Sequence, residues 1–296
     1  MSNDAVYNYT VGDTWSTSTA LSWCSANDNV DGAVFCELND TQVDTSQAGT
    51  YTITYTAEDS SNNLATLQKT ITVSAESSSG LTLTGYYSSA NGLTDSALIQ
   101  QLRSILNSTY AGKNYDYAGS GEALWDTDED PNNPNNLIEF YTGQSRAGAW
   151  DAGVTYNREH IFPQSLLGVS ASGVNAASDL HNLKPADASI NSSRGNKFYD
   201  LVTNSNSYYP ERTEIHGDIA RMLFYMVIMY DEYTLVSTVP VVYQMANLTT
   251  LLQWHLADPV DAFEMRRNDR IQYHQGNRNP FIDYPELINY MNIGSA

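Results

Sequence analysis

Four side chains in the second half of the sequence have the types that hydrolysis of a phosphodiester bond requires. Glu159 is a hard oxygen ligand suited to Mg²⁺, and Asn191 offers a neutral carbonyl oxygen. His160 titrates near neutrality and can act as a base, and Arg194 can donate two hydrogen bonds to one phosphate. Such hydrolysis needs a base that activates water, a divalent cation that takes up charge and a donor that stabilises the leaving oxygen.

The elements that carry these residues must bring them together. If Glu159 and His160 end a strand, their side chains face opposite ways, so one is expected to bind metal and the other to act as base. If Asn191 begins a helix, Arg194 lies one turn further on the same face. A cation held by Glu159 and Asn191 would then lie between the base and the arginine.

Each of these pieces has a common structural explanation as well. A Glu-His pair often ends a surface strand, and an Asn before Ser-Ser-Arg often starts a helix or a turn. His181, between Leu180 and Asn182, is typical of a satisfied core histidine. The joint occurrence of these residues within about 40 positions favours catalysis, but residue types alone leave the two interpretations nearly even.

Residues 1–75 are predicted to form an all-β sandwich. Tyr51, Ile53 and Tyr55 alternate with threonines, which is the period of a half-buried strand, and a similar run covers residues 70–73. Turn-forming clusters separate these runs at a spacing typical of sandwiches.

Residues 76–84 are predicted to be a polar linker, and residues 85–296 a second, α+β domain. Thr94 is a candidate N-cap of a first helix, residues 215–230 form a second, apolar one, and a third is predicted from Asp258 to Gln275.

The two cysteines, Cys24 and Cys36, are predicted to form a disulfide, which favours an extracytoplasmic location. Two reduced, buried thiols are the alternative. The pair has no CxxC spacing and no histidine companions, which argues against zinc.

The formal net charge of −20 argues against binding nucleic acid by bulk positive charge. Eight basic residues nevertheless fall in segments that could face a nucleic acid, so we expect few phosphate contacts and weak salt dependence. These residues are Arg158, Lys184, Arg194, Lys197, Arg266, Arg267, Arg270 and Arg278.

The first 75 residues resemble bacterial immunoglobulin-like repeats of secreted proteins. The matching segments are residues 11–13, 28–32 and 44–51. The resemblance implies a fold and says almost nothing about a ligand.

The second domain resembles the bacterial endonuclease I family of periplasmic and extracellular nucleases. The motifs that carry the resemblance are Glu159-His160 with Pro163, Asp179 to Leu183 with Pro185, and Asn191 with Arg194, Asn196 and Phe198. Several ordered motifs agree from about residue 85 to residue 290, so the resemblance is highly specific.

This resemblance implies a ββα-metal (His-Me finger) core in which Glu159 and Asn191 bind Mg²⁺, which Mn²⁺ can replace. It implies that His160 is the general base, with its other ring nitrogen held by a backbone carbonyl before His181. Arg194 would contact the scissile or a neighbouring phosphate. The reaction implied is sequence-nonspecific cleavage of DNA, and also RNA, to 5′-phosphate and 3′-hydroxyl ends.

Further residues are expected to support that site. Arg158, Lys184 and Lys197 would bind substrate, and His181 and Asn182 would support the catalytic residues from behind.

The acidic run from Asp126 to Asn132 could bind a structural Ca²⁺, the alternative being a solvated loop. Two other function classes stay open: a secreted glycoside hydrolase with a sandwich module, and a non-catalytic adhesin. Residues Met1 to Thr10 lack the apolar run of a signal peptide, and no apolar segment reaches the about 18 residues needed to span a membrane. The expectation is a secreted monomer.

Overall fold

The computed structural model describes residues 8–74, 81–110 and 116–294, and the chain divides into two compact units between Gly80 and Leu81. Residues 76–80 of the predicted linker lie outside the described residues. Leu83 is buried in the core of the second unit. The remainder of the predicted linker, residues 81–84, is therefore part of that unit.

The first unit contains a four-stranded sheet and a separate two-stranded hairpin. Its described strands are β1 (Asn8–Thr10), β2 (Ala26–Asp28), β3 (Gly32–Val34), β4 (Glu37–Asn39), β5 (Gly49–Glu58) and β6 (Leu64–Ser74). The sheet has the order β1-β6-β5-β4, in which β5 is antiparallel to β6 and β1 is parallel to β6. Strands β2 and β3 form the hairpin.

The core of this unit follows from the alternation in the sequence. Ile53 and Tyr55 of β5 and Ile71 and Val73 of β6 are buried, while their neighbours along each strand are more exposed. The unit also has a short helix, α1 (Thr17–Leu21), which the all-β prediction missed.

The predicted disulfide is confirmed. Cys24 and Cys36 are bonded across 12 positions of the sequence. Because a cross-link removes conformational freedom from the unfolded chain, it stabilises the small first unit.

We expect the Cys24→Ser, Cys36→Ser double variant to lose about 3 kcal/mol of unfolding free energy in the first unit. Denaturant titration, with separate spectroscopic probes for the two units, measures the loss. The second unit provides an internal control, because both cysteines of the chain lie in the first. An unchanged midpoint for the first unit would contradict the expectation.

The second unit is built around a helix that is buried along its whole length. Its described helices are α2 (Asp95–Tyr110), α3 (Ser120–Thr127), α4 (Ala188–Arg194), α5 (His216–Met229), α6 (Leu248–Ala257), α7 (Ala262–Gln275) and α8 (Pro280–Asp283). Helix α5 is apolar on most sides and contacts α2, α6 and α8, as expected of a core helix.

Helix α7 begins later than the sequence predicted. The predicted start was Asp258, but Asp261 is the residue whose carboxylate caps the helix, accepting a hydrogen bond from the Glu264 amide at 2.8 Å. The helix ends as predicted before Gly276, whose φ of +96° favours glycine.

The strands of the second unit are short. Those described are β7 (Glu129–Asp130), β8 (Asn133–Ile138), β9 (Ser145–Ala147), β10 (Asn157–His160), β11 (Leu183–Ala186), β12 (Phe198–Tyr199), β13 (Ser207–Tyr208), β14 (Thr234–Leu235) and β15 (Gln244–Met245). Strands β10 and β11 pair antiparallel, and α4 follows β11 directly.

Helix α4 has a clear signal at each end. Asp187 caps it by accepting hydrogen bonds from the amides of Ser189 at 2.9 Å and Ile190 at 3.1 Å. Gly195 ends it with φ +57°, a conformation that side chains disfavour. The strand–strand–helix order thus places α4 next to the end of β10.

Among the helices of the described ranges, none is both long and apolar enough to cross a bilayer.

Candidate active site

Glu159 and His160 end strand β10, and both are buried. Glu159 lies opposite Lys184 of β11, and His160 lies opposite Leu183. Adjacent side chains of a strand point to opposite faces, so Glu159 and His160 face opposite sides of β10. This agrees with the expectation that one binds metal and the other acts as base.

One oxygen of Glu159 is occupied and the other is open. Oε1 accepts hydrogen bonds from the Tyr141 hydroxyl at 2.6 Å and from Nη1 of Arg194 at 2.9 Å. No side chain in the described part of the chain donates a hydrogen bond to Oε2, and this oxygen is not sealed in the interior. Burial raises the pKa of Glu159, while the charge of Arg194 and the Tyr141 hydrogen bond oppose that rise. The open oxygen is available to a ligand.

The imidazole of His160 is held by the backbone. Nε2 lies 3.0 Å from the carbonyl oxygen of Ala177, and because a carbonyl only accepts, Nε2 carries the hydrogen. Nδ1 has no partner among the residues that the structure describes. Burial lowers the pKa of His160 to about 4, so the ring is neutral at physiological pH. His160 therefore presents Nδ1 as a free proton acceptor, and Ala177 does lie in the segment before His181.

Asn182 fixes the turn that follows His160. Its amide side chain accepts from the Phe162 nitrogen at 2.7 Å and donates to the Phe162 oxygen at 3.1 Å. His181 is buried elsewhere: its ring packs on Tyr225, and Nε2 lies 3.4 Å from the Asn277 oxygen. Asn182 thus supports the chain directly after β10, and His181 helps to anchor the same segment to the core.

Asp179 is a supporting residue to which sequence analysis assigned no role. It is fully buried and accepts hydrogen bonds from the hydroxyls of Tyr225 at 2.8 Å and Tyr230 at 2.9 Å, and from Gln275 at 2.7 Å. It therefore secures the loop that carries Ala177. The only signal in the sequence was its place in the motif that resembles the family.

Arg194, for which a phosphate contact was expected, is enclosed in the structure. The residue is 0% exposed, and its nitrogens donate to Glu159, to the carbonyls of His160 and Ile161 at 2.6 Å each, and to the carbonyl of Lys197 at 3.1 Å. A phosphate could reach the guanidinium only if these bonds broke. The three-residue spacing correctly predicted that Asn191 and Arg194 share a face of one helix. It could not show that Arg194 is buried on that face.

Asn191 lies half-buried on α4, one turn before Arg194. Helix α4 contacts β10, and Arg194 joins the two elements. Carboxylate and amide oxygens are hard ligands of the kind that Mg²⁺ prefers, so an open Oε2 of Glu159 and the side chain of Asn191 fit such a cation.

Comparison with known proteins gives the family. Residues 94–286 match the model for endonuclease I. The chain belongs to the endonuclease I family. Residues 4–73 match the model for the Ig-like domain of bacterial surface proteins, which confirms the resemblance of the first unit. The chain is therefore a nuclease, a hydrolase of nucleic acids, and the glycoside hydrolase and adhesin alternatives lose their support.

Two relatives cover most of the nuclease. An extracellular ribonuclease of Bacillus amyloliquefaciens is 38% identical over 228 residues, which is 68% of this chain and 75% of the relative. One of Bacillus subtilis (strain 168) is 36% identical over 225 residues, 68% of this chain and 76% of the relative. An extracellular deoxyribonuclease of Aeromonas hydrophila is 32% identical over 120 residues, 36% of this chain and 48% of the relative.

Lys184, for which a substrate contact was expected, is also enclosed. Lys184 is buried, and its Nζ lies 3.1 Å from Oδ1 of Asp128. Asp128 is equally buried and also accepts from Nε of Arg267 at 3.0 Å. Lys184 is thus part of an internal ion pair of the nuclease.

In the acidic run from Asp126 to Asn132, where a Ca²⁺ site was predicted, three carboxylates are paired with basic side chains. Asp126 pairs with Arg270 and His274, Asp128 pairs with Lys184 and Arg267, and Glu129 pairs with Arg266 at 2.9 Å. These carboxylates bind cations that the protein itself supplies, mostly from α7.

Another acidic group lies in the first unit. Asp28, Asp31 and Asp59 each place a carboxylate oxygen within 4.8 Å of the others, and Asp31 is exposed. This group is separate from the residues matched by the endonuclease I model.

Of the eight basic residues expected to face substrate, Arg158 and Lys197 lack a carboxylate partner within the described ranges. Nη1 of Arg158 donates to the Tyr117 carbonyl at 2.7 Å and to the Ser120 hydroxyl at 3.1 Å. The guanidinium lies 3.8 Å from the centre of the Tyr117 ring, and that ring stacks on His160. Arg158 and His160 share one face of β10, so this cation lies beside the imidazole of His160.

We expect Asp128→Asn to lower the unfolding free energy by about 3–5 kcal/mol at pH 7, because Lys184 and Arg267 lose their buried counter-charge. Burial opposes ionisation of Asp128, but the charges of Arg267 and Lys184 outweigh it and hold the pKa below its ordinary value of 3.8. The difference from the parent should therefore be complete above about pH 4 and shrink as the pH falls further.

Urea denaturation at pH 7 and at pH 3 measures this difference. Glu122→Gln is the control, because that carboxylate is exposed on the adjacent helix α3 and should change stability by less than about 1 kcal/mol. Equal stability of Asp128→Asn and the parent at pH 7 would show that the buried pair contributes nothing.

Proposed function

We propose that the chain is a secreted, Mg²⁺-dependent and largely sequence-nonspecific endonuclease whose active site is a ββα-metal core formed by β10, β11 and α4. The observation that carries the proposal is the pair of open atoms on adjacent residues, Oε2 of Glu159 and Nδ1 of His160. All other polar atoms of these two side chains are held by the protein.

Each residue of the core has a distinct proposed role. Nδ1 of the neutral His160 accepts a proton from the attacking water, and the Ala177 carbonyl holds the ring in the required tautomer. Glu159 and Asn191 would hold the divalent cation, which would neutralise charge that develops on the phosphate. In-line attack by this water forms a new bond to phosphorus and breaks the bond to the 3′ oxygen, which takes a proton from a second water, so 5′-phosphate and 3′-hydroxyl ends result.

Arg158 takes the phosphate contact that Arg194 cannot make. Its Nη1 bonds hold the group against Tyr117 and leave Nε and Nη2 without partners among the described residues. Lys197, half-buried just beyond α4, is a second candidate contact. Contacts to phosphate carry no sequence information, which supports nonspecific cleavage.

The relatives support both the substrates and the location. Those from Bacillus are named as ribonucleases and those from Aeromonas as deoxyribonucleases, so we propose that both RNA and DNA are cleaved. Three of them are named as extracellular, and the disulfide in the first unit fits an oxidising environment.

We expect His160→Ala to reduce cleavage of plasmid DNA and of RNA by about 10²–10⁴-fold, because the proton acceptor is lost. Chelation of divalent cations should stop cleavage by the parent. His274→Gln is the matched control: this histidine lies on α7, paired with Asp126, and its loss should leave cleavage near the parental rate. Parental activity in a folded His160→Ala variant would refute the proposed base.

Salt dependence tests the number of phosphate contacts. With one to three contacts, we expect a slope of log affinity against log salt between about −1 and −3. Arg158→Gln should make that slope shallower by about 0.9, because one contact is lost.

Arg270→Gln is the control for this measurement. Arg270 is similarly accessible but is paired with Asp126, so the slope should not change. A parental slope steeper than about −6 would mean that a wide basic surface binds the substrate.

A further inference from the structure

Arg194 is the most enclosed cation next to the candidate active site. None of its surface reaches solvent, and all three of its nitrogens donate to acceptors of the protein. Since it cannot touch substrate in this state, its place beside Glu159 must serve the site indirectly.

Two of its acceptors belong to the residues proposed to act directly. Nη1 donates both to the carboxylate of Glu159 and to the main-chain carbonyl of His160. A guanidinium is planar and rigid, so one group fixes the metal ligand and the backbone of the base relative to each other.

The remaining bonds join the strand to the helix. Nη2 donates to the carbonyl of Ile161, just after β10, and Nε donates to the carbonyl of Lys197, just after α4. Arg194 is the last residue of α4, and Asn191 precedes it by one turn. The spacing between Glu159 and Asn191 is therefore set through this side chain.

Two tyrosines hold the guanidinium and the carboxylate in place. The ring of Tyr199 lies 4.5 Å from the guanidinium carbon, and its hydroxyl is 2.8 Å from that of Tyr141. Tyr141 donates to the same oxygen of Glu159 that Arg194 occupies. Two donors thus share Oε1, which restricts a cation to Oε2.

We propose that Arg194, assisted by Tyr141, is a positioning residue of the cation site: it presents Glu159 as a ligand with one available oxygen and holds Asn191 at the spacing that the cation needs. This inference rests on the proposed metal-dependent function.

Calorimetric titration of the full chain with Mn²⁺, without nucleic acid, tests the inference. Arg194→Lys should weaken Mn²⁺ binding by about 10–100-fold, because an ammonium group cannot reproduce the fork of hydrogen bonds. Tyr141→Phe removes one donor to Oε1 with almost no change in volume, and it should weaken binding by a smaller factor. Glu159→Gln identifies the heat that belongs to this site, since the Asp28, Asp31 and Asp59 group could also take up Mn²⁺.

Arg221→Lys is the matched control for the loss of a buried arginine. Arg221 is also 0% exposed and pairs with Glu264, away from Glu159. It should lose thermal stability and keep the parental affinity for Mn²⁺, whereas Arg194→Lys should lose both.

Parental Mn²⁺ affinity in Arg194→Lys and in Tyr141→Phe would overturn the inference, as would an equal loss of affinity in Arg221→Lys. If Arg194→Lys does not fold, Tyr141→Phe decides alone. Failure of the proposed function looks different: Glu159→Gln would bind Mn²⁺ like the parent, and parental cleavage would survive chelation.

Discussion

The buried ion pair between Arg194 and Glu159 is the interaction on which the geometry of the active site depends. Removing two charges from water is costly, and the cost is offset here because each guanidinium nitrogen and Oε1 of the carboxylate have close partners. The pair connects the end of β10 to the end of α4. Because these are the elements that carry Glu159, His160 and Asn191, a shift of this one contact would move all three.

Buried ion pairs also join other parts of the second unit. Asp128 with Lys184 and Arg267, and Glu264 with Arg221, are buried pairs that join distant parts of the chain. Such pairs explain how a chain with a net charge of −20 can contain arginines near its active site and still present few free cations. The basic residues of this nuclease mostly neutralise its own carboxylates.

Periodicity and capping predicted strands β5 and β6 and helices α2, α5 and α7, and the motifs predicted the strand end that holds Glu159 and His160. The backbone partner of His160 was expected in the right segment because the family resemblance includes it. The burial of Arg194 and Lys184 could not be predicted, because residue type shows that a side chain can bind phosphate, not whether a carboxylate or a carbonyl of the protein already binds it. The ion pairs of the acidic run at Asp126 could not be predicted for a similar reason: most of the partners lie on α7, about 140 positions away, and only tertiary packing brings them together.

Near the candidate site, few cations of the described ranges lack a carboxylate partner, and on the proposed function this has a kinetic consequence. Electrostatic attraction to the phosphates sets how long the nuclease stays bound to a nucleic acid. With Arg158 and few other groups in contact, the protein dissociates soon after each cut. Successive cuts then fall on different molecules, so a digest shortens the whole population together instead of consuming one strand from end to end.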